Sequence, residues 1–402
     1  MGKKLFLIAL FPFLLFAGCT QKGKKQTDAV SAATARKGTL AQVLLEQVMP
    51  GAMADGIVKI AVLVNQTTGD NSRQFLEGCV SEGRALGFTV DTFISGGDEN
   101  RCRQLAAGIA GADYDGLIFT NLFASGTFRG AEDGVVDFSY DILKPIADNG
   151  IPIVTFEALP YRNGKSIKGL IATFQDDYRL ARLSLETLLS YSGGGRPARV
   201  IRVGCDPGIT FLDRRAWEFA KMADKGDIIE AAFVKLDNLE NPHGAAWEAL
   251  AEILPLFPEQ QIDALWVPWD EFAKGCAEAL ASAGRQDIKL FSIGISNEDI
   301  RLMLRHSQVW LANTAVDPKV AGTVNMRILA AVLAGETLYD TFSFDPQLVK
   351  TSDLNHAVNL SNLPVMVPNW GEGKGLFDHY QWMIDLKTAE GRYLHLPPVT
   401  TP

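Results

Sequence analysis

From Val58 onward, the pattern of apolar and polar positions along the chain alternates between two periods. Short runs of apolar and β-branched residues, typical of buried strands, are followed by segments whose apolar positions recur at helical spacing. Such a succession is typical of βαβ units, in which helices cover both faces of a parallel sheet. In the first half it predicts strands at 59–64, 88–94, 116–119 and 151–156, and helices at 73–86, 100–110 and 142–149.

A polar link at 159–168, which contains Pro160 and Gly164, is followed by a second run of the same pattern. This run predicts strands at 169–173, 199–203, 228–235, 264–267, 289–293 and 309–314, and helices at 178–191, 213–223, 244–254, 272–283 and 319–333. The last helix is expected to return to the first lobe. The predicted fold class is α/β, with two doubly wound parallel-sheet lobes joined by a hinge and a ligand site in the cleft between them.

The N-terminal segment is typical of an export signal. Lys3 and Lys4 precede an apolar run at 5–16, which is shorter than the ~20 residues that a transmembrane helix needs. The sequence at 15–19, which ends in Cys19, resembles a bacterial lipobox. We therefore expect Cys19 to carry the lipid, a palmitate-type acyl group, that anchors the protein to a bacterial membrane. The alternatives are an ordinary secretory signal cut nearby and a buried helix with a chance cysteine.

The predicted organisation follows from these patterns. It consists of a lipoprotein signal segment (1–19), a polar tether and linker (20–56), an N-terminal α/β lobe (57–158), a C-terminal α/β lobe with a hinge crossing (159–316), and a return to the N-terminal lobe with a C-terminal tail (317–402). The tether is rich in Lys, Gln, Ala and Thr without hydrophobic periodicity.

Composition and charge narrow the class of function. With 47% apolar and 21% charged residues, the chain has the balance of a globular protein with a sizeable core. A net charge of −9 argues against nucleic acid as a partner, because phosphates attract basic surfaces. Beyond Cys19, the cysteines show no metal-ligand spacing; we expect them to be buried, although an exported location permits a disulfide. They are Cys79, Cys102, Cys205 and Cys276.

Motifs for catalysis and for cofactor binding are missing from the sequence. It has no GxGxxG after its first strand, no GxxxxGK[ST], no GxSxG and no HExxH. We therefore predict a protein that is not an enzyme and that uses no cofactor and no metal.

Polar side chains cluster instead where predicted strands end, the edge at which ligands of open parallel sheets bind. Asn65, Asn71 and Ser72 follow the first strand, Glu157 follows the fourth, and Asp177 follows the first strand of the second lobe. These groups can hydrogen-bond ligand hydroxyls. Helix capping is the alternative role for Asn71 and Asp177.

Two tryptophans lie near the end of the strand at 264–267. Pro268 starts a turn, so Trp269 and Asp270 are predicted to emerge at the ligand edge, where an indole can stack on the C–H face of a sugar ring and a carboxylate can accept from its hydroxyls. Trp266, inside the strand, is expected to lie in the core.

Several segments together resemble the type I periplasmic solute-binding proteins of the ribose- and galactose-binding class. The resemblance covers 58–335, and its marks are the sequences at 59–64, 115–118, 150–156, 175–177, 212–215 and 269–275, and Asp317-Pro318 at the start of the last helix. It implies a two-lobed protein that closes on a small polar ligand for an ABC permease.

The resemblance also implies positions for ligand-binding residues. Asn71 and Ser72 occupy the places of aromatic residues in ribose-type sites, and Glu157 replaces the first residue of an Asp-Arg pair. On the second lobe the implied positions are Asp213 with Arg214 beside it, Trp269, Asp270, Ser296 (or Gly294) and Asp317. The predicted ligand is a monosaccharide or polyol.

Other functions share this fold. A sensory binding protein would use the same closure, and a nucleoside-binding lipoprotein would need aromatic stacking on both sides of a base. An exported α/β enzyme lacks a nucleophile–base arrangement in the sequence. A LacI-like repressor would need a DNA-binding headpiece where the signal segment stands.

Overall fold

The computed structural model describes residues 50, 53, 57–64, 69–120, 138–162, 165–193, 196–207, 209–239, 241–371 and 373–394. Cys19 and Asn65 lie outside the described residues. In chain order the elements are β1 (Lys59–Val64), α1 (Gly69–Ala85), β2 (Thr89–Ile94), α2 (Glu99–Ala110), β3 (Gly116–Thr120), α3 (Phe138–Asp148), β4 (Ile153–Phe156), β5 (Tyr161–Arg162), β6 (Lys165–Ser166), β7 (Ile171–Gln175), α4 (Asp177–Tyr191), β8 (Ala198–Gly204), α5 (Thr210–Asp224), β9 (Ile228–Lys235), α6 (Pro242–Ile253), β10 (Ala264–Val267), α7 (Asp270–Ser282), β11 (Lys289–Ile293), α8 (Asn297–Arg305), β12 (Trp310–Ala315), α9 (Pro318–Leu333), β13 (Thr341–Phe344), β14 (Gln347–Lys350) and α10 (Gln381–Leu394).

The described strands of the first lobe form a parallel sheet in the order β13-β7-β4-β3-β1-β2. Its central strands are buried on both faces, which explains their continuous apolar sequences. Helices α1 and α9 cover one face and α2 and α3 the other. Helices α1 and α9 pack very closely: a Cβ on Gly78 would lie 2.1 Å from the Lys319 carbonyl oxygen, so glycine is required there.

The second lobe repeats this design. Its described strands follow the order β14-β12-β11-β10-β8-β9, in which only β14 is antiparallel to its neighbour. Helices α6, α7 and α8 pack on one face and α4 on the other, while α5 contributes to both cores. The predicted fold class, two parallel-sheet α/β lobes in series, is confirmed.

One strand belongs to a different lobe from the one predicted. The strand β7, predicted at 169–173 as the start of the second lobe, pairs with β4 and β13 in the first sheet. The link at 159–168 therefore does not join the lobes; it contains the short antiparallel pair β5–β6 ahead of β7. The apolar pattern predicts a strand but carries no information on the strands with which it pairs. One of the two partners of β7 is β13, which lies far along the chain.

The chain passes between the lobes at 175–177, 315–318 and 344–347, where strands of one sheet lead into elements of the other lobe. The first and third passages are hydrogen-bonded, since the Asp176 N–H donates to the Phe344 carbonyl at 3.4 Å. These adjoining passages, rather than residues 159–168, form the connection between the lobes.

The C-terminal part contacts both lobes. Helices α9 and α10 pack on the first lobe, as the prediction of a return requires. The segment 351–371, however, lies on the second lobe, with Leu360, Leu363 and Trp370 buried in its core.

The cysteines of the described chain are unpaired thiols. Cys79, Cys102 and Cys276 are buried, as predicted, and Cys205 is half-buried. None of the helices that the structure describes has the length and hydropathy needed to cross a membrane.

Candidate ligand site between the lobes

Helices that follow the carboxyl ends of strands in the two sheets meet between the lobes. Helix α1 follows β1 in the first lobe, and α8 follows β11 in the second. The first turns of these helices touch, because the Asn297 N–H donates to Oδ2 of Asp70 at 3.0 Å. The loops in which ligands of open α/β sheets bind therefore converge between the lobes.

The wall on the first lobe begins with the first turn of α1. Asn71 is half-buried and Ser72 is buried there. Phe75, one turn further, stacks on Phe156 with ring centroids 4.8 Å apart. The rings of Phe75 and Phe156 thus lie beneath this wall, whereas the wall positions themselves hold the polar residues Asn71 and Ser72.

Glu157 emerges at the end of β4 with an unusual backbone. Its φ of 56° lies in the left-handed region, which costs energy for a residue with a side chain. The conformation brings the carboxylate to β7, where Oε1 accepts a hydrogen bond from the Gln175 N–H at 2.5 Å. Burial of the carboxyl group, and then the nearby Asp177 charge, raise the pKa of Glu157 to about 8 against its ordinary 4.5. Near neutral pH, this group can donate as well as accept hydrogen bonds.

Asp177 is held by two arginines. The side chain that caps α4 is that of Asp176, which accepts from the Arg179 N–H, so Asp177 is the first helical residue. Its Oδ1 accepts from Nε of Arg215 at 2.9 Å and its Oδ2 from Nη1 of Arg214 at 3.2 Å. Burial raises the pKa of Asp177, while Arg215 and Arg214 act in the opposite direction.

The two arginines differ in exposure. The Arg214 side chain is 25% exposed and that of Arg215 is 4% exposed, so a ligand has access only to the former. Arg214 also lies 5.9 Å from the centre of the Phe174 ring. Asp213, in the same turn of α5, is half-buried.

Arg215 connects this cluster to the turn that carries Trp269. Its Nη1 donates to the Pro268 carbonyl at 2.6 Å, and its guanidinium lies over the Phe211 ring at 4.8 Å. Trp269 is half-buried and makes edge contacts with Phe211 and Phe272. The predicted position of Trp269 beyond the strand is confirmed, and Trp266 lies in the core as expected, with 0% exposure.

Three further predicted residues have local roles in the structure. Ser296 caps α8 by accepting from the Asp299 N–H, and Asp317 caps α9 by accepting from the Lys319 and Val320 N–H groups. Asp270 is buried against Gly294, where an added Cβ would lie 2.6 Å from Oδ1 of Asp270. A ligand role for these residues stays a prediction.

The structure thus groups the predicted residues in two places. Glu157, Asp177, Arg214 and Trp269 are connected through Arg215 and the passage at 175–177, whereas Asn71, Ser72 and Ser296 lie where α1 meets α8. Sequence reasoning missed Arg215. Its spacing of four residues from Phe211 on α5 places both on one helix face, a signal that would have favoured it as the inward-pointing arginine. No group of three or more potential metal-ligating side chains is found among the described residues.

Comparison with known proteins agrees with this architecture. The family model for the periplasmic binding protein domain matches residues 57–337. Among curated proteins nothing matches the chain.

Solved structures of similar fold include a sugar ABC transporter protein from Yersinia enterocolitica, with 31% identity over 85% of this chain and 98% of that chain and a TM-score of 0.72. Another is the 5-methylthioribose transporter solute-binding protein from Thermotoga lettingae, in complex with 5-methylthioribose, with 26% identity, coverage of 82% and 98%, and a TM-score of 0.68. A carbohydrate transporter solute-binding protein from Agrobacterium radiobacter, in complex with D-arabinose, shares the fold at 15% identity, with coverage of 78% and 99% and a TM-score of 0.61.

The family match includes strands of both lobes and the candidate site residues Glu157, Arg215 and Trp269. Membership implies an extracytoplasmic location and a binding rather than a catalytic role. The chain has two α/β lobes in series, with loops that converge at the carboxyl ends of both sheets, and the family model matches more than half of the chain. This chain therefore belongs to the periplasmic binding protein family.

Proposed function

We propose that this protein binds a monosaccharide or polyol between its lobes and delivers it to an ABC importer. The observation that carries the proposal is the arginine-centred cluster at the passage between the lobes. Arg215 joins Asp177 to the turn of Trp269, and the charge of Asp177 raises the pKa of the nearby Glu157 of the first lobe. The 31% identity to a sugar ABC transporter protein supports the same class of ligand.

The chemistry of the cluster suits a polyhydroxylated ring. Arg214 presents a partly exposed guanidinium that donates to hydroxyl oxygens, and the Glu157 carboxyl can exchange donor and acceptor roles with a hydroxyl. The half-buried Trp269 indole offers an apolar face for C–H groups. A ligand with hydroxyls on its edge and C–H groups on its face satisfies all three.

A thermal-shift screen tests the ligand class, because a ligand that binds only the folded protein raises its melting temperature as the concentration exceeds Kd. The screen contains pentoses, hexoses, polyols and nucleosides, together with 5-methylthioribose, the ligand of one similar structure. We expect stabilisation by a member of the sugar or polyol set. Stabilisation by nucleosides alone would contradict the proposal and favour a nucleoside-binding protein.

Transport and sensing are separated by an uptake measurement. Cells of the source organism that lack this gene should lose uptake of the radiolabelled ligand found in the screen, and the restored gene should return it. Normal uptake together with a lost transcriptional or chemotactic response to the same sugar would instead assign a sensory role.

The proposal includes a lipid anchor at Cys19, supported by the lipobox-like sequence at 15–19. Metabolic labelling with an alkyne analogue of palmitate should label the wild-type protein and not Cys19→Ser. The matched control Cys205→Ser, at a half-buried cysteine of the folded body, should keep the label. Label that persists on Cys19→Ser would contradict the anchor without affecting the proposed ligand.

A further inference from the structure

Asp70 makes a hydrogen bond that joins the two lobes. It lies in the first turn of α1 on the first lobe, and its side chain is 13% exposed. Oδ2 accepts from the Asn297 backbone N–H of the second lobe at 3.0 Å, while Oδ1 accepts from Nη2 of Arg73 in its own helix at 3.0 Å. One carboxylate therefore has one partner on each lobe.

The N–H group that Asp70 accepts from has no partner within its own helix. Asn297 is the first residue of α8, and the first N–H groups of a helix have no acceptor in the preceding turn. The cap residue Ser296 binds the Asp299 N–H and so leaves that of Asn297 available. A helix N-terminus favours a negative charge, so a carboxylate from the opposite lobe is a well-matched partner.

The donor is fixed to the second lobe on its other side. The Asn297 side-chain Oδ1 accepts from the Leu360 N–H at 2.9 Å, and Leu360 is buried in the core of the second lobe. The start of α8 therefore moves with the second lobe as one body. Separating the lobes must break the contact with Asp70.

We propose that Asp70 and the Asn297 N–H form a latch that raises the closed fraction of the unliganded protein. Hydrogen bonds to charged groups are among the stronger ones, so loss of the latch lowers the closed-to-open ratio about tenfold. A ligand that requires the closed state then binds more weakly, because its apparent Kd varies inversely with the closed fraction. This consequence for affinity rests on the proposed function, whereas the effect on shape does not.

At Asn297, a pair of substitutions separates the loss of the N–H donor from the loss of the side chain. Proline has no N–H and is favoured at the first position of a helix, and the preceding Ser296 has the extended backbone that proline requires, with φ −134° and ψ 172°. The matched control Asn297→Ala loses the same side chain, and with it the Leu360 contact, but keeps the N–H. The comparison of Asn297→Pro with Asn297→Ala isolates the latch.

A second pair of variants tests the acceptor, the Asp70 carboxylate. Asp70→Ala removes the carboxylate, and the control Arg73→Ala removes its partner within α1 but leaves the contact with Asn297. The radius of gyration of the double variant Asp70→Ala/Asn297→Pro should resemble that of either single variant, because each single variant already removes the same hydrogen bond.

Small-angle scattering of the purified, unliganded proteins is the readout, with thermal melting to verify that each variant is folded. We expect a larger radius of gyration for Asn297→Pro and Asp70→Ala than for their controls. Superimposable curves for Asn297→Pro and Asn297→Ala, both folded, would overturn the latch. Since no ligand is present, this result is independent of whether the proposed sugar binds.

Discussion

Arg215 binds Asp177 through Nε at 2.9 Å, and the two side chains are 4% and 0% exposed. Because a buried charge is costly without its partner, this pair ties the passage at 175–177 firmly to helix α5. The second bond of Arg215, to the Pro268 carbonyl, extends the connection to the turn before Trp269. The stability of the passage and the shape of the ligand wall therefore depend on one guanidinium.

We expect Asp177→Asn to destabilise the protein by about 3–5 kcal/mol, the usual cost of removing one partner of a buried ion pair. The neighbouring Asp176→Asn is the matched control, because asparagine caps helices as well as aspartate does and the free energy of unfolding should change little. Urea unfolding measures both variants. Equal stability of the two would mean that Asp177 is not charged in the folded protein.

Trp269→Ala should weaken binding of the identified ligand by ~1–3 kcal/mol through loss of an aromatic contact, while the fold stays intact. Trp247→Ala is the control, since Trp247 is 40% exposed on α6 and outside the cluster. Calorimetry gives the affinities, and circular dichroism reports the fold. Unchanged affinity for Trp269→Ala would place this side chain outside the site, and loss of the fold would assign it to the core.

Glu157→Gln should change how stability depends on pH. The folded pKa of about 8 lies above the ordinary 4.5, so between these values the folded protein binds the proton more tightly than the unfolded chain does. The contribution of Glu157 to stability is therefore present in full below pH 4.5 and decreases as the pH rises through this window to about 8.

Glutamine does not titrate, so the stability of Glu157→Gln should fall less over the same range. Glutamine, like glutamate, has a Cβ atom, so the left-handed backbone at residue 157 costs the same in both proteins and the comparison is direct. Urea unfolding of both proteins at several pH values measures the difference. A difference that stays constant with pH would contradict the raised pKa.

Local sequence patterns located most elements well. The strands β1, β9, β10 and β11 have the predicted bounds, because apolar runs and their flanking turns are local signals. The lobe to which β7 belongs was predicted wrongly, because its pairing with β13 depends on residues about 170 positions away along the chain.

The candidate site was predictable to the extent that it lies at strand ends, as Glu157 and Trp269 do. Helix boundaries limited the rest: α4 begins one residue earlier than predicted, so Asp176 is the cap and Asp177 binds the arginines. The bond between Arg215 and Pro268 joins residues 53 positions apart and left no local pattern to detect.

Hinge closure is the remaining prediction, and the expected hinge is the set of passages that connect the lobes, at 175–177, 315–318 and 344–347. A ligand that contacts both lobes only when they are closed must shift the population toward that state by its differential affinity. Small-angle scattering should therefore show a smaller radius of gyration when the identified ligand is added. The decrease should be larger for Asn297→Pro than for Asn297→Ala, because the unliganded proline variant is expected to be more open. If the curves with and without ligand superimpose for both variants at saturation, with binding verified by calorimetry, the ligand occupies a preformed pocket and closure is not part of the mechanism.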